Sequence, residues 1–511
     1  MNTKALRQKV LDLAIHGKLV PQNPNDESAE VLLKKIREEK AEKIKKGELK
    51  ADKKDSFIFV GSDKRHYEQF ADGTVKDIED EIPFDVPEGW AWCRLGTLSE
   101  TTDYIANGSF ADTRANVKFY KEKNYALLVK TQDFNNNFTD DLTYTDETGY
   151  NFLSKSHLFG GELLLSNIGA SIGKALIVPK FDIPMAVAPN SIVVRTTDLL
   201  ETQFLKSIML STYGQNALVA FTAGSAMPKF NKTQLRSLLI PLPTIYAQQS
   251  IISTVNTIFE TIQVIENDKD ELENLIKHTK SKILDLAIHG KLVPQDPNDE
   301  PAEELLKRIA TSDNRPYKKL SGDEIPFELP KTWIWQKLPD LCSIPITDGT
   351  HKTPTYSDKE NGIPFLSSKD VTSGEIDWSK IKYITKELHE ELYKRLAPQK
   401  NDILLAKNGT TGIAALVKDN TVFDIYVTLA LIRPISKIIY PQYLLYIINS
   451  QFCKNQFNDH LTGIGVPNLH LVDINKTVIP LPPLSEQQRI VLKIEELFEY
   501  TDIINISIKE F

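Results

Sequence analysis

Residues 247–289 read AQQSIISTVNTIFETIQVIENDKDELENLIKHTKSKILDLAIH and contain neither glycine nor proline. From Ile251 to Leu286 every third or fourth residue is apolar, and only Lys269 and Thr279 interrupt the pattern. This spacing predicts one amphipathic helix with a coiled-coil stripe. At about 1.5 Å per residue, the helix would be roughly 64 Å long. Because an isolated helix would leave its stripe in water, a second helix must cover it.

The tail of the chain repeats the start of this helix. At a shift of 239 positions, the phrase IPLP at residues 240–243 matches IPLP at residues 479–482. The tail that follows, PPLSEQQRIVLKIEELFEYTDIINISIKEF, keeps the paired glutamines and has apolar residues at helical spacing. The tail is therefore predicted to be a helix of the same type.

The amino terminus repeats the other end of the central helix. Residues 9–36 and 282–309 are identical at 23 of 28 positions, at a shift of 273. With the two shifts, Phe511 maps to position 272 and Met1 to position 274, so tail and head together replace one central segment. We therefore predict a circular repeat with a pseudo-two-fold axis. Tail and head would form a second rod, antiparallel to the first, and the chain ends would meet. A tandem duplication with two independent domains is the alternative.

Two longer segments open and close with matching phrases. They open with DEIPFDVPEGWAWCRLGTL from Asp80 and DEIPFELPKTWIWQKLPDL from Asp323, and both end in IPLP. The tryptophans of each opening lie two apart, on one face of a predicted strand. We interpret them as core anchors; base stacking is the alternative. The interiors largely diverge, which predicts two copies of one α/β scaffold with different surfaces.

The fold class is therefore predicted as α+β, with two globular α/β domains and a long antiparallel two-helix coiled coil. Residues 28–55 are rich in lysine and glutamate, and they are interpreted as a solvated helix that frays into a tether. The predicted boundaries are 1–36 for the amino-terminal helix and its stop, 37–79 for a charged tether, 80–243 for the first globular domain, 244–309 for the central helix, 310–322 for a linker, 323–482 for the second globular domain and 483–511 for the carboxy-terminal helix.

Composition limits the classes of function. The 511 residues carry a formal net charge of −8, which argues against a broadly basic, nonspecific nucleic-acid coat but leaves local basic grooves possible. No segment resembles a signal peptide or approaches the roughly 20 apolar residues of a membrane span. The three cysteines are far apart and match no metal or redox spacing, so we expect reduced thiols in a cytoplasm.

Polar loops at corresponding places in the two domains are the candidate DNA contacts. Amides, hydroxyls and lysines can contact phosphates or read base edges in a major groove. An ordinary hairpin without a function is the alternative for the short turns. The candidates in the first domain are Asn107, Ser109, Lys130, Thr131, Gln132, Asn167, Ser171, Lys174 and Lys229, and those in the second are Thr350, His351, Lys352, Ser367, Ser368, Lys369, Lys407, Asn408, Thr410, Thr411 and Asn468.

No catalytic motif is visible. The stretch from Gly169 to Lys174 superficially resembles a phosphate-binding loop, but only three residues separate its glycines and no serine or threonine follows the lysine. It is also predicted to lie between strands. There is no amino-methylation motif and no persuasive carboxylate and lysine cluster of a nuclease. We therefore expect no catalytic residue, no metal site and no cofactor in this chain.

The framed repeat, the phrases LDLAIHGKLVPQ and PPLSEQQRI, and the loops DGTHKTP and GELLLSNIGASIGK together resemble the specificity subunit of type I restriction-modification systems. The resemblance implies two target recognition domains that read the halves of a split DNA site. It implies assembly with two methyltransferase subunits and, in the full nuclease, with restriction-translocase subunits. S-adenosylmethionine, and ATP with Mg, would be bound by those partners. In the first domain the sequence ANGSF departs from the DGTH pattern.

A rod of fixed length between two different domains would convert helix length into the spacer of an asymmetric target. The repeated LDLAIHGKLVPQ segments, which include Leu19 and Leu292, are interpreted as docking the same partner twice. Recent duplication alone is the alternative. Two rival functions stay open: a bivalent protein-binding scaffold, and a stand-alone DNA enzyme with an unrecognised site.

Overall fold

The computed structural model describes residues 2–48, 55–222, 228–312, 318–458 and 468–510. The chain divides into two compact units, and the boundary between Asn267 and Asp268 falls inside the central helix. We call the part from Asn2 to Asn267 the first unit and the part from Asp268 onward the second unit. The central helix is continuous from Ile245 to Ile288, 44 residues, which confirms the prediction of one uninterrupted helix. Within the described residues, no helix is long and apolar enough to cross a membrane.

In the first unit, the helix Thr3–Ile15 covers the first part of the central helix. The stripe residues Ile251 and Val255 are buried in the same core cluster as the apolar face of this helix. The Arg7 guanidinium stacks over Phe259 and donates to the Glu266 carboxylate at 3.0 Å. The amino-terminal helix is therefore the partner that the apolar stripe requires.

In the second unit, the helix Leu484–Glu510 covers the rest of the central helix. Lys280 lies over the Phe498 ring and pairs with Asp502 at 2.5 Å. The stripe residue Leu272 is 37% exposed, so the stripe is wetter there than near either end of the helix. Head and tail thus each cover a part of the central helix, as predicted. Met1 and Phe511 lie outside the described residues, and contact between the chain ends stays a prediction.

The first unit contains two four-stranded sheets. One is antiparallel throughout, and the other contains one parallel pair, Ala126–Val129 with Met185–Val187. The strands of both sheets are short and rich in Val, Leu and Ile, and their side chains form much of the buried core. The other strands of these two sheets are Ser99–Asp103, Tyr144–Thr145, His157–Leu158, Leu163–Ser166, Ala175–Ile177 and Ser191–Thr196. Ala91–Arg94 and Leu239–Leu242 form a two-stranded sheet, and Ser56–Val60, His66–Phe70 and Val75–Asp77 form a three-stranded one. The α-helices after the first are Ala29–Lys45, Leu95–Leu98, Phe110–Asn116, Glu147–Phe152, Thr202–Leu210, Thr212–Ala220 and Lys232–Arg236.

The second unit repeats most of this topology. Its antiparallel four-stranded sheet has the corresponding strand order, and three strands of its second sheet match the first unit, including one parallel pair, Ile363–Leu366 with Asp424–Ile425. The fourth strand of that sheet lies on the opposite edge, because Tyr356–Ser357 pairs with Lys382–Ile384 whereas His157–Leu158 pairs with Met185–Val187. The prediction of two copies of one scaffold is thereby confirmed. The other strands are Ile334–Lys337, Thr347–Asp348, Tyr356–Ser357, Lys382–Ile384, Ile403–Ala406, Ala414–Leu416, Leu429–Ile432 and Val478–Leu481, and the other α-helices are Ala302–Ser312, Lys386–Arg395, Pro441–Ile448, Gln451–Asn458 and Leu471–Ile474.

The paired tryptophans are core residues, as interpreted from the sequence. Trp90, Trp92, Trp333 and Trp335 are all buried. In each unit the strand that carries or adjoins them pairs with the strand formed by the IPLP phrase. The opening and closing phrases of each domain are therefore joined by a two-stranded sheet, which explains why they recur together.

Both repeated helices end in the same way. Gly17 and Gly290 have φ angles of +65° and +64°, the left-handed conformation that glycine adopts without strain. The preceding histidines stack on phenylalanines, His16 on Phe84 at 3.9 Å and His289 on Phe327 at 4.2 Å between ring centroids. The repeated helix stop is therefore packed onto the opening phrase of its own domain.

The interpretation of residues 37–79 as a charged tether is wrong over much of its length. A helix continues to Lys45, and residues 56–77 form a three-stranded antiparallel sheet that has no counterpart among the described residues of the second unit. This sheet is fixed because Glu68, which is buried, accepts two hydrogen bonds from Arg94. Burial alone would raise the pKa of Glu68, but hydrogen bonds from Arg94 and Ser56 bring it below its usual value. Residues 49–54 lie outside the described residues.

Candidate nucleic-acid interface

Most of the predicted contacts lie where strands end. In the first unit Lys130 and Asn167 each directly follow a strand, and the two strands belong to different sheets. In the second unit Ser367 and Lys407 occupy the corresponding places. The same backbone positions therefore carry a lysine and an amide in one unit, and a hydroxyl and a lysine in the other.

The turn after the first of these strands is fixed by a buried aspartate. Asp133 accepts a hydrogen bond from the Lys130 backbone N–H at 2.8 Å, and Asp370 accepts one from the Ser367 N–H at the same distance. Burial raises the pKa of Asp133, although Lys130 opposes that change. The residue before each aspartate, Gln132 or Lys369, is exposed. Both turns thus present a variable side chain on a backbone that is held in one conformation; Thr131 and Ser368 lie in the same turns.

The loops after the second strands are held by the closing phrase of each domain. The Asn167 carbonyl accepts from the Phe230 N–H at 3.1 Å, and the Asn167 amide donates to the Phe230 carbonyl at 2.9 Å. The Lys407 carbonyl accepts from the Leu469 N–H at 2.8 Å. These contacts bring Lys229 next to Ile168 and Asn468 next to Asn408 as isolated bridges. The structure therefore assembles Lys229 and Asn468 with the strand-end loops, although each lies about sixty residues from its loop in sequence.

The first unit has an unused acceptor at this point. Asn167 is buried, and among the described residues its Oδ1 atom has no hydrogen-bond partner. It belongs to a cleft that is also lined by Phe110, Asn190, Lys229 and Asn231. Phe110 is 63% exposed, so the cleft has an aromatic side chain open to solvent beside its polar groups.

The rest of these loops is more exposed. The Ser171 and Ser166 hydroxyls are 2.7 Å apart, and the Lys174 side chain is exposed. Thr410 is exposed in the second unit and Thr411 is half-buried. The segment Gly169–Ser171 is a single 3-10 turn between two antiparallel strands rather than the start of a helix. This placement is the one that the sequence predicted for the stretch that resembles a phosphate-binding loop.

Asn107 and Gly108 of the first domain lie in a turn, but the turn does not join two strands as a hairpin would. Asn107 ends a 3-10 turn that leads into the helix Phe110–Asn116. The Asn107 amide donates to Ser156 at 2.5 Å, and Ser109 caps the helix through Asp112. Both side chains are therefore engaged in holding this turn, and contact with DNA from either one stays a prediction.

The second domain carries a different turn, built on Gly349. An added Cβ there would lie 2.0 Å from the Ile425 carbonyl oxygen, so only glycine fits. Thr350 is buried, and its hydroxyl accepts from the Lys352 N–H at 3.1 Å. His351 and Lys352 are exposed, and Lys352 pairs with Glu391.

The sequence alignment of the Gly349 turn with the Asn-Gly turn of the first domain is wrong. Asp348 pairs with Ala430, and Ala430 pairs with Leu405; Asp103 pairs with Ile192, which in turn pairs with the residue corresponding to Leu405. Asp348 therefore corresponds to Asp103 and not to Asn107. No local sequence pattern indicates this register, because the segment between Asp103 and the strand Ala126–Val129 is longer than the segment between Asp348 and the strand Ile363–Leu366.

Sequence reasoning also missed residues that the fold adds to this region. Asp103 pairs with Lys232 at 2.9 Å, and Asp348 pairs with Lys407 at 2.5 Å. Asn190, at φ +69°, offers its carbonyl to the Asn167 N–H. No group of three His, Cys, Asp or Glu side chains suited to a metal ion occurs among the residues that the structure describes.

The chain thus has two copies of one α/β scaffold, with different polar side chains at the same strand ends. The family model of the type I restriction modification DNA specificity domain matches residues 87–274 and 330–510. These matches span more than half of the chain, which therefore belongs to this family.

Relatives match almost the whole chain. It is 26% identical over 573 aligned residues to the type I restriction enzyme EcoAI specificity subunit of Escherichia coli, covering 99% of this chain and 90% of that protein. The EcoEI specificity subunit of the same species is 24% identical and covers 98% and 89%. A structure solved in a study of complex assembly and conformational transition of the type I R-M system has a TM-score of 0.53 and 19% identity, covering 84% and 95%, and shows a shared fold.

Proposed function

We propose that this chain is the DNA sequence-specificity subunit of a type I restriction-modification complex, in which each domain reads one half of a split target. The observation that carries the proposal is that equivalent strand ends in the two domains carry different side chains. Fixed backbone positions give both domains the same approach to DNA, and the side chains on them decide which bases fit.

The target should be asymmetric, because the two candidate surfaces have different chemistry. Lys130 and Gln132 in the first unit correspond to Ser367 and Lys369 in the second. Amides suit the edge of adenine, and lysine suits guanine or phosphate. The same strand-end positions therefore carry different hydrogen-bonding groups in the two domains, and they favour different half-sites.

Catalysis belongs to partner subunits in this proposal. Specificity subunits are non-catalytic components, and adenine methylation and DNA cleavage require two methyltransferase subunits and the restriction-translocase subunits. S-adenosylmethionine, ATP and Mg would be bound by those partners. The net charge of −8 supports this division of labour, because a partner that surrounds the DNA can supply positive charge that this chain lacks.

We propose the repeated LDLAIHGKLVPQ segments as the docking sites for the two methyltransferase subunits. Leu19 and Leu292 are only half-buried, but they pack against their own cores, so replacing them with aspartate would also disturb folding. Lys18 and Lys291 are exposed at corresponding positions and are better probes.

The docking proposal predicts that Lys18→Glu and Lys291→Glu together lower the incorporation of methyltransferase subunits, measured by size-exclusion chromatography with light scattering. Each single variant should lose one of two subunits, because each site binds its own copy. Lys64→Glu is the matched control, since Lys64 is also exposed but lies in the segment without a counterpart. Normal assembly of the double variant would contradict the proposal.

The main experiment is an electrophoretic shift of the chain with a library of randomised split sites, with and without methyltransferase subunits. We expect one asymmetric bipartite sequence to be enriched, and the same sequence to lose methylation in a host strain that lacks this chain. DNA binding without steep salt dependence, or none at all, would favour a protein-binding scaffold. Methylation or cleavage by the purified chain alone would favour a stand-alone enzyme.

A further inference from the structure

In each recognition domain, the first strand of the antiparallel four-stranded sheet ends in an aspartate whose carboxylate needs a counter-charge. The Asp103 and Asp348 carboxylates are largely shielded from solvent, with side-chain exposures of 17% and 10%. A shielded carboxylate without a partner would be costly, because it has lost its hydration. Each domain meets this need with one lysine.

The two lysines come from different elements. In the second domain, Lys407 reaches Asp348 from the end of a strand, where the first domain has Asn167. In the first domain, Lys232 is the first residue of a short helix, and the corresponding helix of the second domain begins at Leu471. Each domain thus has one of two possible lysine positions filled by lysine and the other by an uncharged residue. What the two domains share is the braced aspartate and not the place of the cation.

Asp348 connects the buried lysine to an exposed side chain. Its Oδ2 atom accepts from Lys407, and its Oδ1 atom lies 3.2 Å from the His351 Nε2 atom. The His351 side chain is 71% exposed. The Arg395 guanidinium donates to the Asp348 backbone carbonyl at 2.9 Å, which fixes the same strand end from another side.

We infer that Lys407 is a positioning residue, which holds Asp348 so that Asp348 orients His351 toward the second half-site. In the first domain, Lys232 holds Asp103 in the same way beside the cleft. The inference rests on the proposed function. Lys407 does not contact DNA itself, because its ammonium is on the carboxylate and its side chain is only 8% exposed.

The test uses the full chain assembled with methyltransferase subunits and three DNA duplexes: the whole target, and the target with either half-site scrambled. Lys407→Asn copies the first domain at this position, and we expect affinity that depends on the second half-site to fall about tenfold while the first half-site is unaffected. Adding Leu471→Lys supplies the cation from the place that the first domain uses. The double variant should recover to within about threefold of the original affinity.

Two further measurements separate positioning from direct contact and from folding. A positioning lysine leaves the salt dependence of binding unchanged, whereas loss of a phosphate contact lowers its slope by about one. His351→Ala keeps the ion pair, so it should fold normally, with an unchanged melting temperature. It should weaken the second half-site as Lys407→Asn does, and combining the two should add little, because both act on one contact.

A lower salt slope, no rescue by Leu471→Lys, or fully additive losses would overturn the inference. Failure of the original complex to distinguish the target from scrambled duplexes would instead overturn the proposed function. The two failures are therefore distinguishable within one set of measurements.

Discussion

At the scale of single residues, the two copies satisfy the same buried indole in different ways. The Trp90 Nε1–H donates to Gln22 at 2.8 Å. The Trp333 Nε1–H donates to Glu486 at 3.0 Å, and Gln295, the counterpart of Gln22, donates to the same carboxylate at 2.5 Å. In the second unit Glu486 therefore lies between the glutamine and the tryptophan, whose counterparts in the first unit contact each other directly.

This comparison predicts that Glu486→Ala is nearly neutral in the free energy of unfolding, within about 1 kcal/mol, because Gln295 can turn to Trp333 as Gln22 does to Trp90. Gln295→Ala with Glu486→Ala should cost about 1–3 kcal/mol, since the indole N–H is then buried without an acceptor. Hydrogen-exchange protection of the second unit measures both. Gln22→Ala is the matched variant in the first unit. A single Glu486→Ala variant as damaged as the double would contradict the prediction.

The same carboxylate predicts a pH dependence. Burial raises the pKa of Glu486 above its usual value, against the hydrogen bonds from Trp333 and Gln295. The folded state therefore holds this proton more tightly than the unfolded state, and the contribution of Glu486 to stability falls as pH rises from the ordinary glutamate value to the raised one. Glu486→Ala should accordingly gain stability relative to the original chain between acidic and neutral pH, measured by the same exchange experiment. An unchanged difference across that range would exclude the effect.

At the scale of elements, the repeated helix stops combine two constraints that can be separated. Gly17 and Gly290 are left-handed, and an added Cβ would lie 2.4 Å and 2.5 Å from the Cγ atoms of Pro87 and Pro330. Gly47 ends a helix with a φ angle of +77°, but nothing lies within 4 Å of its added Cβ.

Gly47→Ala should therefore cost only the conformational strain, about 1 kcal/mol in the free energy of unfolding. Gly17→Ala and Gly290→Ala should each cost at least about 2 kcal/mol, because overpacking against proline is added to that strain. Hydrogen exchange of the two units and of the helix at residues 29–45 provides the comparison. Equal costs at all three glycines would show that packing at the helix stop adds nothing.

Periodicity predicted elements well only where one face of a long segment is apolar. The central helix extends over 44 residues, so its pattern is repeated many times. The sheet at residues 56–77 was missed because its strands have three to five residues and are mostly half-exposed. The sheet is also held in place by Arg94, which lies outside the charged segment and pairs with Glu68 and Glu81. A local pattern cannot report such a partner.

At the scale of the whole molecule, the proposed function makes the central helix the determinant of the target spacer. Seven residues inserted after Glu271 add two helical turns and keep the apolar residues on one face. The insertion lengthens the helix by about 10 Å, which corresponds to roughly three base pairs. The ends of the chain, if they meet there as the repeat predicts, would simply move apart.

We therefore expect methylome sequencing to find both half-sites unchanged and the spacer longer by about three base pairs. The matched control is the same seven residues inserted after Lys359, in an exposed loop of the second domain, which should leave the spacer as it was. An unchanged spacer with the helix insertion, or altered half-sites, would show that the helix does not set the distance.

The repeat, the long helix, the paired core tryptophans and the two divergent domains could all be predicted from the amino-acid sequence, because periodicity and copied segments encode them. The folded chain was needed to establish the register of the strand ends, the correspondence of Asp103 with Asp348 and the two alternative lysine positions. Those depend on hydrogen bonds and ion pairs between residues far apart in the chain, whose partners are chosen by the folded backbone and leave no local pattern.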